Sequence, residues 1–452
     1  MSLLGRTAEQ GTVSRLLAST RLGAGGALLV IGEPGAGKTA LLADALESFP
    51  DVRVLGVTGT EAEHDLPFAA LHGLLLPALG LLGEIPEPQA QALGTALTLR
   101  PGGAGDRFAI GAATLSLLSR YADDAPVVVV VDDVHWVDPS SVEALAFAAR
   151  RVGDDRVAVL FAGRTGEVPA PVQDLPVVEL GALRDDAAAR LVSQAVAEGT
   201  APETCAAVCR AAGGNPLALL ELARDPAVLG DLPEDLTPAV PARLQAAFSR
   251  RLDPLDDGER AVLLVAAMSG GDVRLTRAAC ARAGLDADDL GAAVGRELVS
   301  PSGDRLTFRH PVLRSVLYAT APEALRRRLH RAIGDQLAAD GDVDRGVWHL
   351  AAATVDPQEP VARMLEDLAA RAAARTAYAT CSTALVRAAR LTPVPATARA
   401  RLMKAAQASW TAGHQERALA LLDEAEPEGS DRTVSGLALR ATVTVRSGSV
   451  VA

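Results

Sequence analysis

The first part of the chain alternates between two kinds of stretch. Short apolar or β-branched runs at 27–31, 52–57, 127–131, 157–162 and 177–180 are separated by longer segments with helical spacing. Strands buried on both faces read as unbroken apolar runs, and helices between them supply the crossovers that parallel pairing requires. The pattern predicts a parallel sheet with helices on both faces, an α/β domain spanning residues 1–182. After about Leu183 the strand signals nearly vanish. Helical stretches punctuated by Gly213-Gly214-Asn215-Pro216 and by a Pro-rich segment at 232–241 predict a small all-α lid over 183–240.

Three helix-length patterns then lie between Asp256 and Leu298. Behind them, Val299-Ser300 and Leu306-Thr307-Phe308 flank Ser302-Gly303-Asp304 as a hairpin. Three helices and a small β-wing predict a winged-helix domain over 241–320. Beyond Pro322 the pattern is helical, with Ala at close-packing positions. Ala384, Leu385 and Pro393 recur as Ala418, Leu419 and Pro427, each 34 residues later. That is the period of tetratricopeptide helix pairs, so 321–452 reads as a TPR-like helical array. Such units each leave an apolar face for a neighbour, and Ala452 follows shortly after Gly448, where a further helix should begin. The expectation is an amino-terminal portion of a longer protein.

Composition adds constraints. A chain of 452 residues exceeds what one core usually supports, and 3% aromatics against 49% apolar residues points to helical cores of Ala, Leu and Val. The formal net charge of -12 repels polyanions, so DNA binding by this chain itself is not expected. Cys205, Cys209, Cys280 and Cys381 have neither metal-type spacing nor the density of a secreted disulfide framework. The start lacks a basic stretch leading into a long apolar run, and the run at 127–131 is too short to cross a bilayer. These features predict a cytoplasmic protein with no membrane span.

One motif carries strong chemistry. Gly32-Glu33-Pro34-Gly35-Ala36-Gly37-Lys38-Thr39, followed by Ala40, lies between a predicted strand and a predicted helix. In this P-loop pattern glycines turn consecutive backbone N–H groups inward around phosphates, at the positive end of the following helix. Lys38 adds a full charge at the β- and γ-phosphates, and Thr39 offers a hydroxyl to Mg²⁺. The predicted ligands are ATP or ADP with Mg²⁺. Five valines lead into Asp132 and Asp133 at the carboxyl end of a strand, where open parallel sheets hold ligands. Asp132 would hold Mg²⁺ through water, and Asp133 would orient an attacking water. Arg164 ends the next strand, within reach of the γ-phosphate from the same sheet edge.

The run Asp132-Asp133-Val134-His135-Trp136-Val137-Asp138-Pro139-Ser140-Ser141 resembles the Walker B region of the signal-transduction ATPases with numerous domains, the STAND class. It is especially similar to the large ATP-binding regulators of the LuxR type. The resemblance recurs at Leu4-Gly5-Arg6, Leu66-Pro67-Phe68-Ala69-Ala70-Leu71, Gly214-Asn215-Pro216-Leu217-Ala218-Leu219, Phe308-Arg309-His310-Pro311 and Trp348-His349-Leu350. It implies that Leu4, Gly5 and Arg6 bracket the adenine, that Pro216 packs on the nucleotide from the lid, and that Arg164 occupies the sensor 1 position. It further implies that His310 touches the β-phosphate of ADP and holds a closed state. His135 and Trp136 acquire no role from it, and nothing after Leu391 resembles the DNA-binding helix-turn-helix that ends full-length LuxR-type regulators.

The resulting expectation is a slow ATPase working as a switch, with self-association in the ATP state and an unidentified inducer or protein partner at the carboxyl-terminal helices. Two other classes stay open: an ATP-consuming remodelling enzyme, and a helical-repeat scaffold that nucleotide merely stabilises.

Overall fold

The computed structural model describes residues 3–60, 63–101, 106–196, 200–224, 252–296, 298–308, 311–426 and 433–446. Each apolar run of the first 182 residues forms a strand: β1 (Gly26–Gly32), β2 (Arg53–Thr58), β3 (Val127–Asp132), β4 (Val157–Arg164) and β5 (Val177–Leu180). They make one parallel sheet in the order β2-β3-β4-β1-β5. Alternate residues face opposite layers. Leu28, Val30, Val128 and Leu160 pack against α1 (Thr7–Arg21) and α2 (Lys38–Glu47), while Leu29, Val129, Val131 and Phe161 meet the other layer. That layer holds α3 (Ala69–Leu75), α4 (Glu87–Ala96), α5 (Arg107–Tyr121) and α6 (Pro139–Ala149).

The strand order has a geometric consequence. Because β4 separates β1 from β3, the carboxyl ends of those two strands stand about 10 Å apart, twice the spacing of neighbouring strands. A chain of phosphates fits across that gap.

A second core is continuous from α7 (Asp185–Ala195), α8 (Pro202–Ala212) and α9 (Pro216–Arg224) into α10 (Asp257–Met268), α11 (Val273–Ala283) and α12 (Leu290–Gly295). It also takes in the antiparallel hairpin β6 (Val299–Ser302) and β7 (Arg305–Phe308), then α13 (Pro311–Thr320). The start of α10 is fixed by a reciprocal cap, in which Asp256 accepts from Glu259 N and Glu259 accepts from Asp256 N. The three helices and hairpin read from the sequence are therefore present; the Pro-rich segment 232–241, His310 and Pro427 lie outside the described residues. The next helix, α14 (Glu323–Ala339), contributes Leu329, Ile333 and Leu337 to this same core.

From α14 the chain continues through α15 (Val343–Ala353), α16 (Glu359–Ala374), α17 (Tyr378–Arg390), α18 (Pro395–Thr411), α19 (Gln415–Ala425) and α20 (Val434–Arg446), each packed on its predecessor. Ala384 and Ala418, the repeat-related positions, are both fully buried, since a methyl group is all that such close helix approach allows. The apolar face of the array does not stand alone. Leu365, Leu385, Leu402 and Leu422 belong to one cluster with the sheet residues Val129 and Phe161 and with Leu145 of α6. Arg375 fastens the contact by donating to the carbonyls of Pro67 and Ala96, each at 2.8 Å, and Arg107 donates to Ala412 O at 2.9 Å. Among the described residues no helix is long and apolar enough to cross a membrane.

Candidate functional site

The loop from Glu33 to Gly37 joins β1 to α2 at the carboxyl edge of the sheet. Gly35 (φ 81) and Gly37 (φ 96) both take left-handed backbone, which a side chain would strain. Their reasons differ. A Cβ on Gly37 would meet nothing within 4 Å, so the concave side of the loop is open. A Cβ on Gly35 would fall 2.8 Å from both Asn215 Oδ1 and Leu217 Cβ, because the start of α9 lies directly on that residue.

Lys38 opens α2 and is buried, its Nζ donating to Gly32 O at 2.9 Å and Glu33 O at 3.2 Å. Burial pushes its pKa down, with Asp133 and Asp132 opposing. Thr39 Oγ1 donates to Asp132 Oδ2 at 2.6 Å, joining the loop to the end of β3 across 93 residues of sequence. Asp132 Oδ1 accepts from Asp133 N at 2.9 Å, which fixes the carboxylate in the sheet-edge cleft. Asp133 itself has φ 48, a left-handed conformation uncommon outside glycine and of the kind that clusters at functional sites. Its carboxyl is raised to about 6, first by burial and then by Asp132, against the pull of Lys38 and Arg164. A carboxylate poised there can take a proton from water near neutral pH.

These residues fit a magnesium nucleotide: an open cradle of backbone, an ammonium group at its base, and a hydroxyl paired with a carboxylate. Thr39 and Asp132 would hold the ion, which would supply charge neutralisation at the terminal phosphates. Glu33, Thr39 and Ala40 are exposed at this edge, Pro34 is half-buried and Ala36 is buried beneath.

Arg164 pairs in register with Gly32, so the last residue of β4 stands beside the first residue of the loop. Its guanidinium lies 3.6 Å from Glu167. The amino-terminal segment also reaches the loop, though through a side chain. Arg6 is buried and donates to the carbonyls of Ala36 and Gly181, which braces the loop from behind. Gly5 (φ 69) lies so close to Ala187 that a Cβ would be 2.7 Å from the alanine methyl, and Leu4 packs on the second core. Pro216 is the first residue of α9.

Sequence reasoning passed over Asn215 and Asp138. Asn215 Nδ2 donates to Pro34 O at 2.8 Å while its Oδ1 accepts from Ala218 N, so one side chain both caps the lid helix and grips the loop. Leu217 N donates to Gly35 O at 3.2 Å. The Gly-Asn-Pro spelling signals a helix start, but its contact with the loop could not be read from spacing. Asp138 is buried and accepts from Phe68 N (2.8 Å), Ala70 N (3.2 Å) and Ser141 N (2.9 Å), while Ser141 Oγ accepts from Leu71 N. It ties the segment 66–71 to the start of α6. Replacing Asp138 by Ala would strand three buried N–H groups, and at about 1–3 kcal/mol each urea unfolding should show a loss of about 3–9 kcal/mol.

His135 is buried 4.0 Å from Asp133 and 3.9 Å from Glu167, and neither ring nitrogen has a hydrogen-bond partner among the described residues. Burial, then Arg164 and Lys38, lower its pKa to about 4, so it is neutral beside the two aspartates. Trp348 is half-buried and His349 buried away from the loop, as packing residues. Three consecutive arginines in α14 have different surroundings: Arg326 stacks over Tyr318 at 5.0 Å, Arg327 pairs with Glu323, and Arg328 is exposed.

This geometry is that of a P-loop site with its acidic strand two positions away. Residues 2–161 match the AAA ATPase domain family. Solved structures that overlap the chain loosely include the RuvB Holliday junction branch migration motor of Thermotoga maritima, at 14% identity, 71% of this chain, 96% of that chain and a TM-score of 0.30. A Walker-type ATPase of Pyrococcus abyssi gives 14%, 70%, 99% and 0.33, and the Drosophila ORC bound to DNA gives 14%, 70%, 87% and 0.35. At such overlap they say nothing about substrate or partner. No curated protein matches the chain by sequence. The matched residues thus reach Phe161 within β4, and β5 and the helical remainder lie beyond them.

Proposed function

We propose that the chain is a nucleotide-governed switch, the sensor and ATPase portion of a STAND-class regulator similar to the LuxR type. In this reading 183–240 is the lid, 241–320 a winged-helix domain and 321–452 a TPR-like array. Lys38, Thr39, Asp132, Asp133 and Arg164 handle phosphates, Mg²⁺ and water, while the backbone of Leu4, Gly5 and Arg6 borders the base and Pro216 packs on the nucleotide. His310 joins from the winged-helix side by resemblance alone.

The observation that carries the reading is the double fastening of lid to loop, Leu217 N to Gly35 O and Asn215 Nδ2 to Pro34 O. Any change in the loop as phosphates enter or leave bears directly on the lid helix, and through the continuous second core on the hairpin block. A switch also needs ligands that discriminate between its states, by about 5.5 kcal/mol to move the balance from one extreme to the other. Several contacts at one hinge can supply that together.

The test is to identify the nucleotide that co-purifies and to compare mass in solution with ADP and with a non-hydrolysable ATP analogue. The expected result is bound ADP, a smaller species with ADP, a larger one with the analogue, and slow turnover. Equal masses and equal partner affinity in both states would favour the scaffold. Rapid multiple turnover without any activating ligand would favour an ATP-consuming remodelling enzyme.

A further inference from the structure

A cavity of about 490 Å³ lies where the ATPase domain, the hairpin block and the helical array meet. Its size is in the range of small-molecule sites. The P-loop is not among its walls, although Asp133 and Arg164 of the neighbouring sheet edge are. Five arginines line it: Arg164, Arg314 of α13, Arg387 and Arg390 of α17, and Arg417 of α19. Two carboxylates, Asp65 and Asp133, line it with them. In a chain with a net charge of -12, this is a local excess of positive charge.

These guanidiniums are poorly matched by the protein. Among the described residues no carboxylate lies within ion-pair distance of Arg314, Arg387, Arg390 or Arg417, whereas Arg100, Arg107, Arg120, Arg150, Arg327 and Arg371 each have one. Arg387 donates to Ala351 O at 2.8 Å and Arg417 to Thr383 Oγ1 at 3.2 Å, both neutral acceptors. Arg314 Nε is buried with no partner among the described residues, and its guanidinium stands over Phe308 at 5.2 Å. Burial holds the Arg387 pKa below its usual value, and the like charge of Arg390 adds to the effect. The indole Nε1 of Trp348, another lining residue, is a buried donor that also lacks an acceptor among the described residues. Five converging cations faced by two carboxylates, Asp65 acting on Arg417 and Asp133 on Arg314, leave a positive excess that costs stability unless an anion completes it.

We propose that this cavity binds a small organic anion bearing two or more phosphate or carboxylate groups, held by Arg387, Arg390 and Arg417 on one wall and by Arg314 on the other. The planar guanidinium fork suits both groups, and the Trp348 donor adds a hydrogen bond at the apolar side. The concave shape and modest volume exclude a nucleic acid strand. The ligand bridges three parts of the chain, so its binding holds them in the arrangement described above.

The test uses the full chain carrying Lys38→Ala, which removes the phosphate site of the P-loop, in low-salt buffer free of Mg²⁺. Calorimetry is run with inorganic pyrophosphate as the phosphate probe and with citrate as the carboxylate probe. Saturable binding of at least one probe is expected, weakened at least tenfold by Arg390→Gln and further by Arg390→Gln with Arg417→Gln, while Arg21→Gln on the distant surface leaves it unchanged. The stronger probe identifies the chemical class of the natural ligand. Arg390 has no hydrogen-bond partner among the described residues, so its variant should fold, and without probe it should melt at the same or a higher temperature because a repulsion is gone. Silence with both probes, or binding indifferent to the arginine substitutions, would overturn the proposal.

Discussion

A Lys38→Ala chain should bind ATP and ADP at least a hundredfold more weakly than the unaltered protein in calorimetry, while melting without nucleotide within a few degrees of it. Lys38 Nζ now satisfies itself on the carbonyls of Gly32 and Glu33. Those are neutral acceptors for a buried cation whose pKa burial already depresses. Phosphate oxygens would replace them with charge-assisted bonds worth about 1.5–3 kcal/mol each. Two such bonds correspond to roughly two to four powers of ten in affinity. Alanine is the best helix former at the start of α2, and its methyl group leaves no charge to desolvate, so the fold should be spared. Unchanged affinity in this variant would sink the assignment of the loop.

Asp133→Asn should produce an opposite pair of effects: hydrolysis falls about a hundredfold or more, while stability near pH 7.5 rises. The sign follows from linkage. The folded pKa of Asp133 is raised from 3.8 to about 6, so the folded state resists ionisation that the unfolded chain undergoes freely. Stability from this group is complete below the unfolded value, is lost as pH climbs through about 6, and stays lost above it. The shift corresponds to a cost of at most about 3 kcal/mol at neutral pH, which asparagine removes. Asparagine also tolerates the left-handed backbone that Asp133 occupies, so no strain is added. Urea unfolding of both proteins should therefore show the variant more stable at pH 7.5 and the difference vanishing by pH 4. A variant no more stable at pH 7.5 would mean that the Asp133 charge is compensated in the folded chain. In the unaltered protein, turnover should climb as pH rises through about 6, where Asp133 gains its charge.

The two predictions rest on parts of the molecule that were legible at very different levels. The three inner strands could be read because buried parallel strands permit no polar face, so Val127 to Val131 has almost no alternative, whereas the edge strands β2 and β5 leave part of their residues exposed. The loop could be read because its chemistry demands glycine where backbone must turn left-handed and lysine where charge is needed. Asp132 followed from lying at a strand end; its bond to Thr39 then needed only the sheet order. Asp138 was hidden within the same motif, since a carboxylate that organises backbone N–H groups has the same letter as one that meets a metal. Arg6 was marked by resemblance for its backbone beside a base, and nothing in the sequence signalled that its side chain turns onto the loop's own carbonyls. The docking of the array was invisible because Ala and Leu at helical spacing declare that a face is covered without saying by what.

That docking has a mechanical consequence. The sheet and the array bury their side chains in one uninterrupted apolar mass, whereas the lid and hairpin form another. Separating sheet from array would return apolar surface to water at about 25 cal/mol per Å², so the array is expected to travel with the sheet while the block of the second core moves against both.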